Sequence, residues 1–215
     1  MSREQLPAPR PVVWPLRPPS SATVSQAAHD GQVVVTIEHA PLSGVTPEML
    51  AWWFGHVPGT MRYAGDVYPR YLVWHPLDHI SYELVQPASG GGIGPGARLH
   101  IREALGRDPR RLIDIRVQVE ELGEGGAVVA KRVAGTGLVR LENEFTAVPS
   151  GTRNVSRLRL GDESLLGRLL TNHIATTRAF PPDKLDAWAR HHIEEIGNLE
   201  HFLPELFEER AGHEP

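Results

Sequence analysis

A histidine and a carboxylate one helical turn apart form the strongest chemical pattern in the sequence. The segment 181–207 predicts one long helix that begins at Asp183 as its N-cap. Its apolar positions recur at helical spacing and predict one buried face: Leu185, Trp188, Leu199 and Phe202. His191 and Glu195 lie on that same face. Such an i, i+4 pair can ligate one divalent metal ion, and it can also be a hydrogen-bonded pair at a helix surface.

A second inward-facing carboxylate comes from a predicted strand at residues 97–105. Side chains alternate between the two faces of a strand, so Leu99, Ile101 and Glu103 share the apolar face. His100 lies on the opposite face and is a poor candidate ligand. Because a carboxylate is rarely buried unless it is paired or bound to a metal, Glu103 is a further candidate ligand.

Two more histidines flank a Pro-Leu-Asp turn that follows a short predicted strand at residues 71–74. They are His75 and His79, and Asp78 between them can orient a neighbouring imidazole. Each histidine can bind a metal or form a hydrogen bond to the backbone. The sequence leaves these alternatives open.

Composition restricts the chemistry. The 215 residues include 11 His and no Cys, so a metal must be held by imidazoles and carboxylates. The formal net charge of -4 predicts neither a nucleic-acid partner nor a polybasic membrane patch. No stretch approaches the ~20 apolar residues of a membrane span. No basic segment precedes an apolar one at the N-terminus, so we expect no signal peptide and a cytoplasmic protein without membrane contact.

The chain divides into a proline-rich arm (1–31), one domain (32–208) and a charged tail (209–215). The arm predicts a surface-docked or disordered segment, with Val12, Val13 and Trp14 as candidate anchors.

The domain itself is predicted to be rich in strands. They span residues 32–40, 97–105, 111–122, 127–148 and 153–161. Thr46 caps an aromatic helix, and Asp162 caps a second helix (162–180). The core face predicted for that second helix is Leu165, Leu166, Leu169 and Ile174. This order predicts an α+β helix-grip fold (Bet v 1/START-like), with a curved antiparallel β-sheet around a long C-terminal helix.

Four segments of the sequence resemble one known family. The segments MLAWWF, YLVWHPLDH, HIRE and HHIEEIGNLEHFLPELF are similar to the 2,4-diacetylphloroglucinol hydrolase family, over residues 46–207. Its members are zinc-dependent hydrolases of carbon–carbon bonds with a helix-grip catalytic domain. The resemblance therefore implies a zinc enzyme.

The resemblance also implies a ligand set. The zinc ligands on this sequence would be His79, Glu103, His191 and Glu195. Tyr71, eight positions before His79, would belong to the active site. His75 and Glu194 are the rival ligands, and manganese or iron(II) suits the same donor atoms.

The implied reaction is hydrolysis of a C–C bond next to a ketone in an acylated polyphenol or a related β-diketone. Tyr71 would bind a substrate oxygen or deliver a proton, and Glu103 or Glu195 would act as the base. The partner would be a small aromatic ketone, and the family also suggests a homodimer. Candidate walls for a flat substrate, or plain core residues, are Trp52, Trp53, Phe54 and Trp74.

One feature keeps other functions open. The archetype of the family takes further catalytic His and Tyr side chains from its later strands. Residues 138–161 contain neither type and offer Glu142, Asn143, Glu144, Arg153, Arg157 and Arg159 instead. The alternative is a non-catalytic helix-grip binder of a polyketide or lipid with a structural metal.

Overall fold

The computed structural model describes residues 6–133 and 135–210. Its strands are β1 (Ala22–His29), β2 (Gln32–His39), β3 (Leu42–Ser43), β4 (Thr60–Tyr63), β5 (Asp66–Pro69), β6 (His79–Gln86), β7 (Arg98–Ala104), β8 (Leu112–Gly123), β9 (Gly126–Val133), β10 (Thr136–Val148) and β11 (Gly151–Leu160). Its α-helices are α1 (Pro47–His56), α2 (Arg70–Trp74), α3 (Asn172–Ile174), α4 (Pro182–Asn198) and α5 (Leu203–Arg210).

One antiparallel sheet dominates the fold. Its strand order is β1-β2-β11-β10-β9-β8-β7-β6, with β3 paired to β11, while β4 and β5 form a separate hairpin. Helix α4 packs on this sheet, where Leu185, Trp188 and Ile193 share a core with residues of β2, β8, β10 and β11. The α+β helix-grip prediction is confirmed.

The predicted boundary of the arm at residue 31 is wrong, because residues 22–29 form strand β1. This strand pairs with β2 along its whole length, from Ala22 opposite His39 to His29 opposite Gln32. Asp30 and Gly31 both have positive φ, as a two-residue hairpin turn requires. Strand β1 is almost entirely exposed, so it lacks the alternation that reveals a half-buried strand.

The rest of the described arm docks on the body. The Tyr63 hydroxyl donates to the carbonyl of Pro11 (2.5 Å) and accepts from the backbone N–H of Val13 (3.0 Å). Trp14 stacks against Phe202, with ring centroids 5.9 Å apart. The Val12 and Val13 side chains are exposed, so Val13 helps to anchor the arm only through its backbone. Residues 1–5 lie outside the described part of the chain.

The segment 71–74 is helical, so the predicted strand there is wrong. It belongs to helix α2, in which Tyr71 and Trp74 are both buried. The Asn198 side chain of α4 donates to the carbonyls of Val73 (3.2 Å) and Trp74 (3.0 Å). These hydrogen bonds from α4 stabilise the helical conformation of residues 71–74. Four apolar residues in a row do not by themselves distinguish a helix from a strand.

The helix predicted at 162–180 has the wrong buried face. Leu165, Leu166, Leu169 and Ile174 are exposed. The helical part includes a π-helical turn, Gly167–Thr171, and a second such turn, Ala175–Ala179, follows α3. The segment is held by Asn172, whose side chain accepts from Asp162 N (2.8 Å) and donates to Asp30 O (3.1 Å). Polar bonds to the backbone therefore replace the predicted leucine contacts.

The long C-terminal helix is broken rather than continuous. Helix α4 has Pro181 as its N-cap, not Asp183, and ends at Asn198. A 3-10 turn, Leu199–His201, connects it to α5. Pro204 could not continue one helix, because its ring clashes with the carbonyl four residues earlier. The predicted strand at 127–148 is likewise two strands, β9 and β10.

The predicted tail begins inside a helix, since α5 extends to Arg210. Residues 211–215 lie outside the described part. Within the described ranges, no helix has both the length and the apolar character needed to cross a membrane.

Candidate metal centre and ligand cavity

Two structural pairings assemble the four predicted ligands. Strands β6 and β7 pair so that His79 lies directly opposite Glu103. Helix α4 presents His191 and Glu195 one turn apart above this pair, and all four residues are buried. Trp74 Nε1 donates to the Glu195 carbonyl (2.8 Å), so α2 and α4 are tied together beside the site.

The ligand atoms converge closely. His79 Nε2 is 3.3 Å from Glu195 Oε2 and 3.7 Å from Glu103 Oε2. His191 Nε2 is 3.3 Å from Glu103 Oε2 and 3.8 Å from Glu195 Oε2. His79, Glu103 and His191 each offer one atom within 4.8 Å of the others. Tetrahedral zinc with bonds of about 2.0–2.2 Å needs donor atoms roughly 3.3–3.6 Å apart, so the spacing fits such an ion.

The free ring nitrogens are the clearest sign of a metal. His79 Nδ1 lies 2.6 Å from the Tyr71 carbonyl, and His191 Nδ1 lies 3.0 Å from Asp78 Oδ2. Both partners only accept, so both Nδ1 atoms carry a proton, and Nε2 is the atom that each ring directs at the carboxylates. Within the described chain, His79 Nε2 and His191 Nε2 are buried without any hydrogen-bond partner. A metal ion would satisfy both atoms, and the bonds at Nδ1 are those that orient metal-binding imidazoles.

Asp78 acts as the predicted orienting carboxylate. It accepts from the backbone N–H groups of Gly106 (2.9 Å) and Arg107 (3.1 Å) as well as from His191. Burial acts to raise the pKa of Asp78, but the hydrogen bond and charge of His191 outweigh it and lower that pKa to about 2. Asp78 is therefore an ionised carboxylate that is held in place by three hydrogen bonds.

The rival residues His75 and Glu194 bond to one another. His75 Nε2 lies 3.1 Å from Glu194 Oε2, and His75 Nδ1 accepts from Asp78 N (3.2 Å). Arg190 donates to the other oxygen of Glu194 (2.9 Å). His75, Asp78 and His191 also lie close enough to bind an ion. Because each of these atoms already has a partner, this group supports His191 rather than forming a second metal site.

Tyr71 lies against the ligands. Its hydroxyl donates to Glu103 Oε2 (3.2 Å), and its ring stacks on His79 with centroids 3.8 Å apart. Burial, followed by the charges of Glu103 and Glu195, raises the pKa of Tyr71 well above its usual value. The phenol is thus protonated at neutral pH and can donate a hydrogen bond.

Both carboxylates are charged. Burial acts to raise the pKa of Glu103, but the charge of His191 outweighs it and lowers that pKa. Burial opposes ionisation of Glu195 in the same way, but the hydrogen bond from His192 and the imidazole of His79, 3.3 Å from Oε2, lower its pKa well below the usual value. Ionised carboxylates are the form that binds a metal.

A buried polar row extends from the site and was not predicted from the sequence. His192 Nδ1 is 2.5 Å from Glu195 Oε1, and His192 Nε2 is 2.9 Å from Ser156 Oγ. Ser156 also contacts His39 Nε2 (2.9 Å) and Asn143 Oδ1 (2.7 Å). The only sequence signal was the alternation of β2, β10 and β11, which places these polar residues on the inner face. Their contact depends on strand register, which alternation does not reveal.

The site opens on a cavity of about 130 Å³ between the sheet and α4. Most of its wall is aliphatic or aromatic, with Leu99, Ile101, Val117 and Val129 from the sheet. Polar side chains in the wall are Tyr71, Tyr82, Glu103, Asn143 and Glu195. Cavities of this size accept a benzene-sized molecule. Of the predicted walls, Phe54 and Trp74 line the cavity, whereas Trp53 is fully buried in the neighbouring core.

Comparison with known proteins identifies neither a family nor a chemistry. No protein-family model matches the chain, and no curated protein matches it. Among solved structures, Ara h 8.0201 is 11% identical, with a TM-score of 0.48, covering 79% of this chain and 97% of its own. Protein Ms6760 from Mycobacterium smegmatis is 11% identical, with a TM-score of 0.46, and covers 88% and 99%. SA2116 from Staphylococcus aureus, a protein of unknown function, is 13% identical, with a TM-score of 0.47, and covers 82% and 96%.

Proposed function

We propose that this protein is a zinc-dependent hydrolase that cleaves a C–C bond next to a ketone in an acylated polyphenol or a related β-diketone. One observation carries the proposal. Two unpaired, buried imidazole nitrogens, on His79 and His191, converge on the carboxylates of Glu103 and Glu195 at the wall of an apolar cavity. The resemblance of the four sequence segments supplies the reaction class.

The four residues would hold the ion, and it would supply Lewis acidity and lower the pKa of a water molecule to about 7. The chain provides the remaining parts. The apolar wall excludes bulk water and suits a flat, uncharged ring. Tyr71, a protonated phenol beside Glu103, is placed to donate to a substrate oxygen.

The proposed reaction consumes one water molecule. Its oxygen forms a bond to the acyl carbon, and the bond between that carbon and the ring breaks. The electron pair stays on the ring carbon as an enolate, which then takes up a proton. Glu103 or Glu195 accepts the proton from water, and Tyr71 is the donor nearest to the ligands. The products are the deacylated phenol and a carboxylic acid.

A second candidate function is a non-catalytic binder with a structural metal. Its support is Glu195, whose Oε2 atom is close to both imidazole Nε2 atoms and could complete a closed set of four protein ligands. Structural zinc sites are closed in this way, whereas catalytic sites have three protein ligands and one open position. The enzyme requires one open position, which Glu195 would provide by acting as the base, since His79, Glu103 and His191 lie close enough together to hold the ion as three ligands.

Release of acetate from 2,4-diacetylphloroglucinol by zinc-loaded protein tests the proposal. We expect turnover by the wild type and a loss of about 10²–10⁴-fold in Tyr71→Phe, the usual contribution of an acid–base group, with zinc content unchanged. Tyr82→Phe is the matched control, because Tyr82 lines the same cavity and has no described contact with the ligands.

Zinc bound at one equivalent without turnover of this compound or a panel of β-diketones would favour the binder. Equal activity in Tyr71→Phe and wild type would remove Tyr71 from the mechanism.

A further inference from the structure

Asn143 is a polar residue of the cavity wall that the proposed reaction does not use. It lies on β10, where alternation places Val139, Leu141 and Asn143 on the inner face, and all three line the cavity. The residue is only 5% exposed. A buried amide needs partners for both its oxygen and its NH₂ group.

The oxygen of Asn143 is fully occupied. Asn143 lies directly opposite Ser156 on β11, and its Oδ1 accepts from Ser156 Oγ (2.7 Å) and Asn154 Nδ2 (3.3 Å). Ser156 has one proton, which it gives to Asn143. The Nε2 atoms of His39 and His192 each lie 2.9 Å from Ser156 Oγ. This row fixes which end of the amide faces the sheet.

The NH₂ end faces the cavity without a partner. In the described part of the chain, nothing accepts a hydrogen bond from Asn143 Nδ2, and this atom is not completely buried. It is therefore an oriented donor at an accessible position in a largely apolar wall. A ligand oxygen that accepts from it would gain a hydrogen bond at no cost in reorientation.

The wall also restricts the charge of that oxygen. The described side chains that line the cavity include no lysine and no arginine, while Glu103 and Glu195 are both carboxylates. An anionic group would meet repulsion without a counter-ion, so the oxygen must be uncharged. A ketone, hydroxyl or ether oxygen satisfies this condition.

We infer that Asn143 is a specificity-determining residue, whose NH₂ group donates a hydrogen bond to an uncharged oxygen of an aromatic ligand. This oxygen is a different atom from the carbonyl oxygen that binds near Glu103 and Glu195. The inference rests on the proposed function, because it takes this cavity as the ligand site. The hydrogen bond from Asn143 adds a second point of recognition, and it distinguishes aromatic ketones that carry a further oxygen from those that do not.

The test compares acetophenone with its 2′-, 3′- and 4′-hydroxy derivatives. Their binding to metal-free protein is measured by isothermal titration calorimetry. We expect at least one derivative to bind wild type about tenfold more tightly than acetophenone, the effect of one hydrogen bond. Asn143→Leu should abolish that ratio. Asn143→Asp should abolish it too, since it keeps an oxygen that accepts from Ser156 and replaces the donor with a second carboxylate oxygen.

The matched control is Leu141→Val, which alters the same wall two residues away without changing any polar group. It should change all four affinities by a similar factor and keep the ratio. The inference would be overturned if both Asn143 variants kept the wild-type ratio of affinities. It would also be overturned if no hydroxy derivative bound wild type more tightly than acetophenone. The binding measurement uses metal-free protein, so its outcome does not depend on whether the zinc-loaded protein releases acetate. Failure of the hydrolase proposal and failure of this inference can therefore be told apart.

Discussion

The two ring nitrogens of His191 face two clusters built from the same kinds of residue. The Nε2 side holds His79, Glu103 and Glu195, and the Nδ1 side holds His75, Asp78 and Glu194. Both clusters are buried. On the Nδ1 side, every described polar side-chain atom has a hydrogen-bond partner. On the Nε2 side, two imidazole nitrogens have none.

This difference shows that residue type does not identify a metal site. A cluster of imidazoles and carboxylates can be complete in itself, in which case its function is to hold its members in place. Buried polar atoms without partners are rare in native proteins and need an explanation. Here the unpaired atoms converge at one point, and a bound cation explains both of them.

The largest expected effect comes from removing a ligand on the Nε2 side. We predict that His79→Ala lowers zinc affinity by more than about 100-fold, beyond the ~10–100-fold typical of a lost supporting partner. His75→Ala is the matched variant, because His75 is an equally buried imidazole on the other side. It should retain one zinc per chain. Competition with a chromogenic chelator measures both affinities.

Equal zinc affinity in the two variants would contradict the distinction between the clusters. A greater loss in His75→Ala than in His79→Ala would place the metal on the Nδ1 side instead.

A smaller effect should follow from Asp78→Asn. The amide oxygen can still accept from His191 Nδ1, but the negative charge that increases the basicity of this imidazole is lost. We expect zinc affinity to fall by about 10–100-fold, with one zinc still bound at saturation. The same chelator competition measures it, and Asp114→Asn, an exposed carboxylate that bonds to His100, is the control. Complete loss of zinc binding would mean that Asp78 is itself a ligand.

Much of the candidate ligand set could be predicted from local periodicity. His191 and Glu195 follow from helical spacing, and the inward direction of Glu103 follows from strand alternation. The choice of His79 over His75 needed the family resemblance, since both flank the same turn. The structure separates them by their partners, which lie far away in sequence: Glu103 and Glu195 for His79, and Glu194 for His75.

The features missed by sequence reasoning depend on tertiary contacts. The row of His192, Ser156, His39 and Asn143 forms only because β2, β11 and β10 are adjacent in one register. The exposed leucines of residues 165–169 were assigned to the core because their spacing is helical. Asn172 overrides that pattern by bonding to the backbone of Asp30 and Asp162.

X-ray absorption at the zinc edge of the loaded wild-type protein tests the metal site most directly. The account predicts one zinc per chain, with two imidazole nitrogens at about 2.0–2.1 Å and oxygen donors completing the shell. In His79→Ala, any remaining zinc should show one imidazole fewer. A zinc spectrum without imidazole scattering, or one that is unchanged in His79→Ala, would contradict the assignment of His79 and His191 as ligands.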